Sequence, residues 1–291
     1  MPRTSRCPLQ RNIMTEQLGR RYALVMLASM TLAATMGMVA WGPMLVDAED
    51  HRYADERMWL GIPAAANVLV NLPMLLLGAW GWRTTQTSAW PEVLSVPWRL
   101  FQWCAMLSAV FASVYHASPG DTLFVLTHVC TACGFISLTL GALAERVHPR
   151  FGSRMACRLA LAGAALLGAA MLIAQSFTGH LDMRPLLLLE IIPVLVIPAG
   201  AFSLPGTWTR AFDWIVVLML YTFAKLLELG DSAVLNATGW VSGHTMMHLA
   251  LAAAVGWMAY GAAESRRISA APAGPRGAGE SQRETSLNTA S

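Results

Sequence analysis

The sequence predicts an all-α membrane protein: a polytopic transmembrane helix bundle of about eight spans, a seven-helix core with one extra span on its N-terminal side. Three observations predict it. Of the 291 residues, 55% are hydrophobic and only 13% are charged, whereas a soluble domain carries about 25% charged residues. The mean hydropathy is +0.48. The apolar residues also fall into stretches of the roughly 20 residues that a helix needs to cross a bilayer. One bundle takes up nearly the whole chain, with a basic leader over 1–21, the bundle over 22–264 and a disordered tail over 265–291. The tail is rich in Ser, Ala, Gly, Pro, Arg and Glu and cannot bury a core.

The spans follow in order. The first, 22–46, is too long for a signal peptide and no small-residue cleavage site follows it. The connection 47–59 is acidic, with Asp47, Glu49, Asp50, Asp55 and Glu56. Spans at 60–82 and 97–116 come next, the latter ending in Ser113-Val114-Tyr115-His116. Pro119-Gly120 turns the chain into 121–143, where Asp121 reads as a helix cap and Cys130-x-x-Cys133 as ordinary helix packing. The span 156–176 holds Ala164 and Gly168, small residues suited to close helix approach. The spans 185–203 and 212–229 carry Glu190, Lys225 and Glu228, and Asp231 follows. The last span, 243–262, opens with Gly243-His244-Thr245-Met246-Met247-His248.

Basic residues set the orientation. If the N-terminus is cytoplasmic, all basic residues but Arg52, Arg57, Arg184 and Lys225 fall on the inner side, which is 20 − 4 = 16 of 20. That split fits the positive-inside rule with both termini cytoplasmic. The net charge of +3 is therefore a topology signal and not a nucleic-acid footprint. None of the five cysteines falls in an outer loop, so no disulfide framework is expected.

This topology carries His116, His128, His244 and His248 to the outer half of the bilayer, together with Glu190, Lys225, Glu228 and Asp231. Polar groups at membrane depth are costly and mark functional sites. His244 and His248 share one helical face, because positions i and i+4 stack. With His116 they make the three-histidine set of a catalytic zinc site with one open position. The plainer alternative is hydrogen bonding in an interfacial polar pocket. Lys225, the only lysine, is expected to pair with Glu228 or Glu190, either to fix helix register or to orient the histidines and a substrate headgroup. His51 and His180 read as solvated loop residues.

Four stretches carry a family resemblance: Gly61-Ile62-Pro63 through Asn71-Leu72-Pro73, Ser113-Val114-Tyr115-His116-Ala117-Ser118-Pro119, Tyr221-Thr222-Phe223-Ala224-Lys225-Leu226-Leu227-Glu228, and Ser242-Gly243-His244-Thr245-Met246-Met247-His248. Over about residues 50–262 the chain resembles the alkaline ceramidase family, within the CREST group of seven-helix membrane hydrolases, and is closest to bacterial members. The resemblance implies zinc on His116, His244 and His248, hydrolysis of a lipid amide such as ceramide, and a bacterial inner membrane with the site towards the periplasmic face. The chain departs from the family at the serine four residues before the first histidine, here Ala112, and at the aspartate eleven residues after it, here Thr127. Ser113 and His128 would then assume the missing catalytic roles. Two alternatives stand beside the hydrolase: a noncatalytic lipid-binding or sensing protein that keeps the metal as a clasp, and a transporter, with which Glu190 and Lys225 are compatible.

Overall fold

The computed structural model describes residues 8–270, which form an all-α bundle. Most of the expected leader overlaps the first helix. Residues 1–7, with Cys7, and residues 271–291 of the expected tail lie outside the described residues.

Helix α1 (Pro8–Trp41) is followed by an irregular connection over 42–64, the short α2 (Ala65–Leu69) and α3 (Leu72–Gln86). Then come α4 (Glu92–Ala117), α5 (Asp121–Arg146), α6 (Arg154–Thr178), α7 (Arg184–Ser203), α8 (Ala211–Leu229), α9 (Asp231–Thr238) and α10 (Gly243–Ala270). Among the described residues, seven segments are long and apolar enough to cross a membrane, with α2 and α3 counted as one. The protein is an integral multi-pass membrane protein. The expected span not among these seven, 212–229, is α8, which is 19 residues long. Asp213, Lys225 and Glu228 leave no long stretch of it free of charge.

The break between α2 and α3 has a local cause. Pro73 lacks an N–H, and its ring crowds the carbonyl four residues back, at Leu69, where α2 ends. Pro119-Gly120 separates α4 from α5 as expected, with Gly120 in extended backbone (φ 171°).

The bundle is knit by α4 on α5, α3 on α4, α3 and α8 on α10, and α5 on α7. Its apolar core gathers Trp90, Trp98, Phe101 and Trp214 with Met74, Leu138, Val255 and Met258. On α6 the small residues do what their size permits: a Cβ on Gly168 would stand 2.3 Å from Val129 Cγ2 on α5. Helix α1 is peripheral. It buries Ala23 and Leu27 against Val196 of α7 and Leu204, and exposes Tyr22, Val25, Leu32, Met36 and Val39. Such a face suits contact with lipid.

The 42–64 connection is fastened on two sides. Val46 N–H donates to the Leu181 carbonyl (2.9 Å) and Met183 N–H to the Met44 carbonyl (2.9 Å), tying it to the α6–α7 turn. Across the bundle, Ala54 N–H donates to Asp231 Oδ2 (2.8 Å) and Arg57 Nη2 to the Trp240 carbonyl (2.6 Å).

Candidate metal centre

Two helix ends build the site. The last turn of α4 carries His116, and the first two turns of α10 carry His244 and His248. A helix start leaves backbone N–H groups without intrahelical partners. Here Asp231 Oδ1 accepts from His244 N–H (2.7 Å) and Ser242 Oγ from Thr245 N–H (3.1 Å). Gly243 lets α10 begin this close to α8, since a Cβ there would fall 2.2 Å from the Leu227 carbonyl oxygen. The second turn is held by Thr245, whose hydroxyl donates to Asn67 Oδ1 (2.7 Å). Asn67 in turn donates to the Asp55 carbonyl (3.1 Å).

The outcome is a triangle of Nε2 atoms: His116 to His248 at 3.1 Å, His244 to His248 at 3.2 Å and His116 to His244 at 3.4 Å. All three residues are buried, at 3%, 7% and 7% exposure for His116, His244 and His248. Hydrogen bonding cannot close this figure. A neutral imidazole nitrogen either donates or accepts. Three atoms in mutual contact cannot alternate two roles, so at least one edge joins two donors or two acceptors. A cation that takes all three lone pairs removes the conflict. The dimensions also fit: in a tetrahedral site with zinc–nitrogen bonds of about 2.0–2.1 Å, ligand nitrogens stand about 3.3–3.4 Å apart. This buried group can therefore hold a metal ion. The opposite ring nitrogens, Nδ1 of His116 and of His248, are buried without a hydrogen-bond partner.

The other residues singled out by the sequence are dispersed around this centre. Asp231 is close, but its carboxylate caps α10 and the loop and does not meet an imidazole nitrogen. Lys225 pairs with Glu228 at 2.7 Å, and both side chains are more than a third exposed. Glu190 holds His128, Oε1 to Nδ1 at 2.9 Å. The Ser113 hydroxyl donates to the Val68 carbonyl at 3.0 Å. Ser113 and His128 are thus both engaged away from the triangle.

Two expectations are corrected. His51 is not a solvated loop residue: Nδ1 lies 2.8 Å from Tyr115 Oη and Nε2 lies 2.8 Å from Asp121 Oδ1. Asp121 does not cap α5 with its side chain. Its carboxylate instead joins His51 to Gln175, which donates to Oδ2. His180 is exposed, as expected.

Tyr53 escaped the sequence reading altogether. Its ring lies over His244 (centroids 4.2 Å apart) and against His116 (4.7 Å), and forms the roof of the triangle. Its ring stands edge-on to that of Tyr115, centroids 6.3 Å apart, and burial is the main cause that raises its hydroxyl well above the ordinary phenol range. No spacing or periodicity links it to the histidines in the sequence.

An apolar cavity of about 140 Å³ is lined by residues of α3, α4, α5, α7, α8 and α10. Leu251, Val255 and Met258 in its wall continue the α10 face that starts with His244 and His248. Phe101, Ala105 and Ser108 belong to the α4 turns that precede His116. Comparison of the chain with protein-family models, curated proteins and solved structures finds no match.

Proposed function

We propose that the protein is a membrane-embedded, zinc-dependent hydrolase of lipid amide bonds, acting on a ceramide-like substrate. The observation that carries this reading is the Nε2 triangle, with edges of 3.1–3.4 Å and no self-consistent hydrogen-bonding scheme. The set His116, His244 and His248 is also the one implied by the resemblance to alkaline ceramidases. Zinc bound there supplies a water of pKa about 7 and polarises a carbonyl.

The chain's own residues divide the remaining tasks. The three imidazoles hold the ion and leave a position open. Tyr53 covers the triangle on the loop side and excludes bulk water. The cavity receives an acyl chain: from Leu251 to Met258 its α10 wall runs for about 10 Å, a third of a hydrocarbon core about 30 Å thick. In this reading the amide lies near the histidines with its chain along the helices. The arginine distribution supports both termini being cytoplasmic and the site lying towards the outer face, and the resemblance alone supports a bacterial inner membrane with that face periplasmic.

One observation favours a second reading. Ser113 and His128, the residues expected to replace the family's serine and aspartate, are committed to Val68 and Glu190. In this reading the metal is a clasp and the protein binds or senses lipid without cleaving it.

Elemental analysis and a lipid-amide assay separate the readings. The purified wild type is expected to hold about one zinc per chain and to release fatty acid from a short-chain ceramide, whereas His248→Ala loses both. Zinc without hydrolysis across a panel of lipid amides, with an intact lipid retained, decides for the clasp. A wild type without zinc at any pH near neutrality ends both.

A further inference from the structure

The end of the bundle remote from the histidines carries a second hollow. It has a volume of about 400 Å³ and lies where α3, α4 and α6 meet. Helix α4 lines it with Arg99 and Trp103, four apart on one face, and α6 with Arg154, Arg158 and Leu161, spaced by four and three on one face. Trp82 of α3 closes the set, its ring edge-on to that of Trp103 with centroids 5.6 Å apart. Arg99 and His116 share α4 and stand about 25 Å apart along its axis, against a hydrocarbon core about 30 Å thick. The arginines therefore reach the headgroup level of the leaflet opposite the histidine triangle, and tryptophan is enriched at that level. In the orientation read from the basic residues this is the cytoplasmic leaflet.

The charges of the hollow do not balance. Arg154 is answered by Glu92, Nε to Oε1 at 2.6 Å. Arg99 spends only Nε, on the Ser95 carbonyl at 3.1 Å, which leaves its two Nη groups. Among the described residues neither Arg99 nor Arg158 forms an ion pair, and no carboxylate lines the hollow. The positive-inside rule asks for arginines at this level; it does not ask three of them to edge one cavity. Like charges around a common space repel, and an anion between them removes the repulsion. The planar guanidinium fork matches the oxygens of a phosphate.

The rest of the lining says which phosphate. Trp103 lies about 6 Å further into the bundle than Arg99, and Leu161 about 10 Å further than Arg154. A basic rim above an apolar wall suits a ligand that is anionic at one end and hydrocarbon at the other, and basic pockets between membrane helices are known to take anionic headgroups. The missing carboxylate also discriminates. A choline or ethanolamine headgroup brings an ammonium that needs an acidic partner, and Glu92 is already held by Arg154. We propose that this hollow binds an anionic glycerophospholipid of the leaflet opposite the histidines, its phosphate between Arg99 and Arg158 and an acyl chain along Trp103 and Leu161. The site is independent of zinc and of amide hydrolysis.

The test uses the full-length protein in a neutral detergent, with retained lipids counted by native mass spectrometry. Offered equal amounts of phosphatidylglycerol and phosphatidylcholine with the same chains, the wild type is expected to favour phosphatidylglycerol by about fivefold for each guanidinium, or about twenty-fivefold for two. Arg99→Gln and Arg158→Gln are each expected to cut that preference by about fivefold, and the double variant to abolish it. Arg21→Gln, which removes an exposed charge from α1, is expected to leave it unchanged. Trp103→Ala is expected to lower retention of both lipids while keeping the preference. Glycerol phosphate, the headgroup without chains, is expected not to displace the lipid at equal concentration. Equal retention of the two lipids by the wild type, an unchanged preference in the double variant, or the same loss in Arg21→Gln overturns the site. Unchanged retention in Trp103→Ala, or displacement by glycerol phosphate, overturns the lipid as its occupant and marks a site for soluble phosphate. Arg158 is exposed, so Arg158→Gln alone decides if Arg99→Gln does not fold.

Discussion

The two ends of the bundle each bury polar side chains, and they do so in opposite ways. At the end of α5, Arg146 is 6% exposed. It donates to the carbonyls of Ala201 (3.4 Å), Leu204 (2.7 Å) and Thr209 (2.7 Å) and to Thr209 Oγ1 (3.0 Å). Beside it Glu145 Oε1 accepts from the N–H groups of Trp208 (2.6 Å) and Thr209 (2.8 Å). Donors meet acceptors at every group but Arg146 Nε, which lies 3.9 Å from Glu145 Oε2, and the 204–210 loop is clamped. At the other end three identical rings point their Nε2 atoms at one another. Buried polar groups are normally paired with complements. A set that closes on itself is a structural joint; a set of like groups aimed at a common point waits for a ligand of opposite character.

The sharpest way to break this contrast is a change of sign. His248→Leu removes the odd-membered conflict at similar volume, and replacing such polar partners by apolar groups can be neutral or stabilising. In chelator the variant is expected to melt no lower than the wild type; with zinc present the wild type is expected to melt higher, by a margin that grows with zinc concentration. A wild type that outlasts the variant in chelator would mean that the histidines are a joint like Arg146.

Arg146→Met probes the opposite end. It strands several buried carbonyls, each costing about 1–3 kcal/mol, and is expected to lower the melting temperature sharply with zinc content unchanged. Loss of zinc would show that the two ends are coupled.

The smallest effect is expected from the loop clamp. Hydrogen bonds from the Arg57 guanidinium hold Asp55 below the usual carboxylate range. A depressed carboxylate contributes stability that is present in full above its unfolded value, about 3.9, and is lost as pH falls through the lower native value. Melting temperature against pH should therefore show an acid limb below about pH 4 that is weakened in Arg57→Met. Identical limbs in the two proteins would show that the clamp does not depend on the charge of Asp55.

What the sequence disclosed follows from the range of the interactions. Span length and the charge desert between arginines are local quantities, so the helices could be read directly. His244 and His248 were legible because four residues on a helix fix a shared face, and His116 because it ends a span at the level where α10 begins. Asp121 was misread because a carboxylate after Pro-Gly resembles a cap. Its actual partner His51 lies 70 residues away in sequence, on a loop whose path no periodicity encodes. Tyr53 was invisible for the same reason. Ser113 and His128 had plausible chemistry, but their partners, Val68 and Glu190, sit on other helices.

The two-sided fastening of the 42–64 connection has a consequence for traffic. With one margin stitched to Leu181 and Met183 and the other to Asp231 and Trp240, the strap closes the approach from overhead. Val194, Val217 and Leu218 in the cavity wall are partly exposed, so the lining reaches the flank of the bundle at α7 and α8. For the lipid substrate proposed above, entry at that flank would spare a journey out of the bilayer.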